Sequence, residues 1–131
     1  MDTHLATNMP GASLSFRALT RFSDDSGYAT VLAVESEPFA GSIPFSFQPH
    51  SLKVFLGELR TLNETLRGTA TLKPMWERQF VCLRGDGRGH VIVAGELEFE
   101  DQQLRFAFET DQTCLAPLIR DVEAWPRIAA Q

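Results

Sequence analysis

The sequence predicts an α+β fold: a curved, mainly antiparallel sheet of about seven strands carrying two amphipathic helices on one face. Three observations predict it. Short segments of alternating apolar residues recur along the chain, separated by clusters of Gly, Asp, Ser and Pro. Two longer segments, 49–66 and 113–125, space their large apolar residues at the interval of one helical face instead. The links between strands are short enough to imply antiparallel pairing, and amphipathic helices need an apolar surface to cover. In chain order this reads βββα-ββββα.

The chain of 131 residues suits a single α+β domain, 1–131, with 1–12 as a flexible lead containing Pro10 and Gly11. From Ser13 to Phe22, Leu14, Phe16 and Ala18 share one face of a first strand. The cluster Ser23-Asp24-Asp25-Ser26-Gly27 then turns the chain into a second strand, Tyr28 to Glu35. From Gly41 to Phe47, Ile43, Phe45 and Phe47 share a face, and Pro44, which has no N–H to donate, marks an edge strand. Pro49 opens a helix that presents Leu52, Phe55, Leu56, Leu59, Leu62 and Leu66, and Gly68 stops it.

Four more strands follow. The first two run over 68–73 and 77–84. A third over 90–99 sets Val91, Val93, Leu97 and Phe99 against Ile92, Ala94, Glu96 and Glu98, and the last alternates Leu104, Phe106 and Phe108. A second helix, Thr113 to Trp125, presents Leu115, Leu118, Ile119, Val122 and Trp125, and Pro126 ends it. Within Thr110-Asp111-Gln112-Thr113, either Asp111 or Thr113 reads as its N-cap. Each helix follows a strand with alternating phenylalanines, "FSFQPHSLKVFL" and "FAFETDQTCLAPLI", a degenerate likeness that suggests duplication.

The stretch "LRGDGRGHV", residues 83–91, contains an Arg-Gly-Asp tripeptide and three alternating glycines. A phosphate loop needs a Lys and a hydroxyl entering a helix, and a calcium loop needs several alternating oxygens; neither is present. It reads as a hairpin tip. A two-residue turn on Asp86-Gly87 would pair Leu83 with His90, Cys82 with Val91 and Phe80 with Val93. In the next hairpin, a turn at Asp101-Gln102 would pair Phe99 with Leu104, Leu97 with Phe106 and Glu98 with Arg105. Those registers leave Val81, Leu83, Ile92 and Ala94 on the outer side, grading into Glu96, Glu98, Arg105 and Glu109.

Formal net charge is −5 with a sequence pI near 5.1, which argues against direct binding to nucleic acid or anionic membranes. Between Gly95 and Asp111 lie six acids and one base, so this stretch accounts for the whole net charge of −5. The first fifteen residues resemble no export or transit segment, and no apolar run is long enough to span a membrane, so a cytoplasmic location is expected. Cys82 and Cys114 read as reduced, buried thiols. His4, His50 and His90 lack metal-ligand spacing, Glu96, Glu98 and Glu100 alternate on a strand's solvent side, and no serine stands in a nucleophile elbow. No catalytic residue, metal or cofactor is expected, and Trp76 and Trp125 read as core or rim residues.

"GDGRGHVIVAGELEF" followed by "LRFAFETDQTCLAPLIRDV", with its Thr-Asp-Gln-Thr helix start, resembles small bacterial proteins of the wall-associated-protein immunity family. The likeness covers about the last fifty residues clearly and the central leucine-rich helix loosely. It implies a non-enzymatic antidote that binds a cognate protein toxin and blocks it, with no catalytic residues to carry over. The partner-binding surface expected on the residues is Ile92, Glu96, Glu98, Glu100, Asp101, Arg105 and Glu109, where an acidic patch would attract a basic toxin. Two alternatives stay open: a ligand-binding or enzymatic domain with a pocket between sheet and helices, and a structural homodimer joined through the outer sheet face.

Overall fold

The computed structural model describes residues 1–5 and 7–130. Among them run β1 (Thr3–His4), β2 (Ala12–Arg21), β3 (Tyr28–Ser36), β4 (Phe39–Phe47), α1 (Pro49–Thr65), β5 (Arg67–Leu72), β6 (Phe80–Asp86), β7 (His90–Phe99), β8 (Gln102–Asp111) and α2 (Leu115–Ala124). Single 3-10 turns at Gln112–Cys114 and Trp125–Arg127 flank α2. The fold is α+β with the expected order of strands and helices. The strands form two antiparallel four-stranded sheets, β1-β2-β3-β4 and β5-β6-β7-β8, rather than one sheet of about seven. The reason is the exit from β4. The chain enters a helix of 17 residues there instead of a tight turn, so β5 starts a second meander.

The extra strand lies within the segment read as a flexible lead. Thr3 pairs with Phe16 and His4 with Ser15, and the His4 ring Nδ1 lies 2.8 Å from Ser15 Oγ. β2 carries a bulge between Arg17 and Thr20, with Ala18 at φ 51 and its N–H donating to Asp2 Oδ1 at 2.8 Å. The bulge turns Ala18, expected inward, out to solvent and buries Leu19 in its place. β4 is an edge strand, as Pro44 requires, and buries Phe45 and Phe47.

Helix α1 begins with Pro49 at its first position, where a missing N–H costs nothing, and buries Leu52, Phe55, Leu59 and Leu62. Its C-cap is Leu66 in the left-handed conformation (φ 60), so the helix stops before Gly68 is reached. Asp111 caps the 3-10 turn that leads into α2 by accepting the Thr113 N–H at 2.9 Å. α-Helical bonding ends at Ala124, and Pro126 sits in the 3-10 turn that follows.

The inner faces of both sheets and the apolar faces of both helices meet in one buried cluster. Trp125 lies at its centre, edge-on to Phe16 at a centroid distance of 5.1 Å and 5.7 Å from Phe47. Its Nε1–H donates to Thr3 Oγ1 at 3.0 Å, which ties the last helix to the first strand.

The β6–β7 and β7–β8 hairpins of the second sheet both shift from the registers read in the sequence. In the β6–β7 hairpin Leu83 pairs with Val93, Cys82 with Ala94 and Phe80 with Glu96, three residues along β7 from the expected partners. Three is odd, so β6 turns over: Val81 and Leu83, expected on the outer side, are core residues, and Phe80 and Cys82 face outward. A wider tip is the cause. Asp86 Oδ1 accepts the N–H groups of Arg88 (2.7 Å) and His90 (3.2 Å), while Gly87 and Gly89 take φ of 86 and 99. The Gly87 N–H also donates to the Leu66 carbonyl at 2.7 Å, docking the tip on the end of α1. In the β7–β8 hairpin the turn falls on Glu100-Asp101, with Leu97 opposite Leu104 and Phe99 opposite Gln102. That shift is two residues along, an even number, and every side chain keeps its face.

Candidate functional site

The outer face of the second sheet is built from alternate residues of β6, β7 and β8. The register sets Arg84, Ile92 and Glu109 in one row across the strands, Cys82, Ala94 and Ala107 in the next, then Phe80, Glu96 and Arg105, with Glu98 beside Gln103 beyond them. The face is thus apolar along its middle and charged at its margins. An open groove of about 490 Å³ lies there, lined by Phe80, Ala94 and Ala107 together with the Glu96–Arg105 pair.

Of the residues expected to bind a partner, the structure brings Ile92, Glu96, Glu98, Arg105 and Glu109 onto this face and places Glu100 and Asp101 on the turn at its end. Arg105 pairs with Glu96 rather than Glu98, its Nε donating to Glu96 Oε1 at 2.8 Å. Glu98 Oε1 accepts the Gln103 amide at 3.2 Å. Among the described residues no cation pairs with Glu98, Glu100 or Asp101. One end of the face therefore presents uncompensated negative charge, while Glu96 is neutralised locally.

Asp111 and Asp86 serve a cap and a turn. Hydrogen bonds from the Thr113 hydroxyl and N–H, and then from Asn8, hold the Asp111 carboxyl below its ordinary range. The Arg88 N–H does the same for Asp86, helped by His90. Burial pushes the Cys114 thiol up to about 12 and raises that of Cys82, so neither is an activated nucleophile. Among the described residues no three His, Cys, Asp or Glu side chains come together to hold a metal ion. Among the described residues no helix is long and apolar enough to cross a membrane.

The two tryptophans, both read as core or rim residues, differ in the structure. Trp125 is core, but Trp76 is 91% exposed, on the loop between β5 and β6. The available signal was an aromatic residue outside any apolar alternation, within "KPMWER". The loop is held at several points. Met75 N–H donates to Gln48 Oε1 at 2.8 Å, Lys73 Nζ donates to the Glu77 carbonyl, and buried Gln79 donates from Nε2 to Glu77 Oε2 at 2.8 Å.

No curated protein and no solved structure matches the chain. The model of the immunity protein WapI-like family matches it over residues 9–125, which takes in β2 through α2, the whole second sheet and its acidic outer face. A match over so much of the chain makes this protein a member of the WapI-like immunity protein family.

Proposed function

We propose that this chain is an immunity-type inhibitor that neutralises a cognate bacterial protein toxin by direct, non-enzymatic binding in the cytoplasm. Family membership over residues 9–125 is the observation that carries the reading. The surface proposed for the contact is the acidic end of the second sheet, with Glu96, Glu98, Glu100 and Asp101 flanked by Ile92, Arg105 and Glu109. Two features support it: carboxylates without cation partners, and an apolar middle row beside them. Fixed negative charge of this kind steers a basic toxin domain and raises the association rate more than it lowers the dissociation rate.

The test titrates a candidate toxin domain, taken from among the genes that neighbour this one, against the wild-type chain and the charge-reversed double variant Glu98→Lys with Glu100→Lys. The expected result is an association rate at least about tenfold lower in the variant at low salt, with the two rates converging as salt screens the charges. Equal rates and affinities would remove these residues from the site. Absence of binding and of growth protection by the wild-type chain would end the antidote reading.

A further inference from the structure

We propose that Trp76 is the anchor of the protein interface: its indole enters an apolar pocket on the toxin whose rim is basic. The inference rests on the antidote reading above and names the contact that would dominate it.

The indole is 91% exposed, whereas the chain's other tryptophan, Trp125, is fully buried. Tryptophan is among the residue types that concentrate binding energy when a partner covers them. Trp76 also has left-handed backbone (φ 69), a conformation that a bulky residue adopts only when its surroundings impose it. The bonds described above, to Gln48 and from Lys73 and Gln79, hold Met75 and Glu77 on either side, so the loop backbone that presents the indole is already ordered before binding.

The position of the loop identifies the partner's chemistry. Leu72, at the end of β5, pairs with Val81, and Phe80, at the start of β6, pairs with Glu96, so the Trp76 loop leaves the sheet at the same end as the Glu100-Asp101 turn. Buried Gln79 joins the two directly, because its Oε1 accepts the Glu98 N–H at 3.4 Å. This end therefore gathers Trp76, half-exposed Met75 and Phe99, and the unpaired carboxylates of Glu98, Glu100 and Asp101. Of the bases nearby, Arg105 is neutralised by Glu96, whereas Lys73, bonded only to the Glu77 carbonyl, and Arg78 keep their charge and are outnumbered by Glu77, Glu98, Glu100 and Asp101. An aromatic anchor edged by acids fits a basic surface with an indole-sized pocket. A second copy of the chain would set acid against acid, and anionic lipid would be repelled.

The experiment labels this chain with 5-fluorotryptophan, which yields two fluorine resonances because the sequence has two tryptophans. A soluble paramagnetic agent broadens only that of exposed Trp76 in the free protein. The probe is the same candidate toxin domain as in the titration above. On titration the Trp76 resonance should shift and escape the agent while that of Trp125 stays in place, and Trp76→Ala should weaken affinity at least about 30-fold. The thermal midpoint of the variant should match the wild type. Binding with the Trp76 resonance unmoved, or full affinity in Trp76→Ala, would overturn the anchor while leaving the antidote reading intact. No binding by the wild-type chain would overturn both. Protection of Trp76 that grows with protein concentration in the absence of toxin would assign the anchor to self-association instead.

Discussion

Thr3→Val isolates the bond that joins the two ends of the chain. Thr3 and Trp125 are both fully buried, and the indole N–H donates to the Thr3 hydroxyl at 3.0 Å. Valine keeps the shape of threonine, so no cavity opens, but the N–H is left among Phe16 and Phe47 without an acceptor. A buried donor left unpaired costs about 1–3 kcal/mol. For a chain of this length that corresponds to a fall in the thermal midpoint of roughly 4–11 °C. The assay is urea unfolding followed by far-ultraviolet circular dichroism, for Thr3→Val, Trp125→Phe and the double variant. The coupling energy of the cycle should lie within about 0.5–3 kcal/mol, because the double variant removes the orphaned donor as well. A Thr3→Val protein within about 0.3 kcal/mol of wild type, with no coupling, would refute the docking of β1 and restore a free N-terminal lead.

Two glycines should respond in opposite directions. A Cβ at Gly85 would stand 2.4 Å from the Leu66 carbonyl oxygen, so Gly85→Ala should lose about 1–3 kcal/mol in urea unfolding; no loss would mean that β6 does not rest on the end of α1. Gly57 lies mid-helix with nothing within 4 Å of its Cβ position, and Gly57→Ala should gain about 0.5–1 kcal/mol by the same measurement. Asp111 has a folded pKa below its ordinary 3.8, so its contribution is full above that value and disappears as pH falls through the lower folded one. Asp111→Asn should therefore lower the thermal midpoint near about pH 7, and the gap between the two proteins should shrink as pH falls below the ordinary 3.8. A deficit that persists in acid would show that the asparagine fails for another reason.

The acidic face was legible from the residues because alternation along β7 and β8 assigns sides with period two, and the hairpin's two-residue slip preserves that assignment. The same reasoning misplaced Val81 and Leu83. On β6 the two alternating sets, Phe80 with Cys82 and Val81 with Leu83, are both apolar, so pattern alone could not choose between them. The choice was made by a contact far along the chain, where Gly85 and the Gly87 N–H meet the Leu66 carbonyl at the end of α1. The docking of β1 likewise depends on a partner distant in sequence, Trp125.

Local pattern determined the order of elements, the helix faces, the Asp111 cap and the side on which the acids lie, because each depends on neighbours within a turn or a pleat. Only the tertiary structure decided the register of β6, the sheet count and the exposure of Trp76. Those depend on which distant backbone and side-chain groups leave room and supply hydrogen-bond partners.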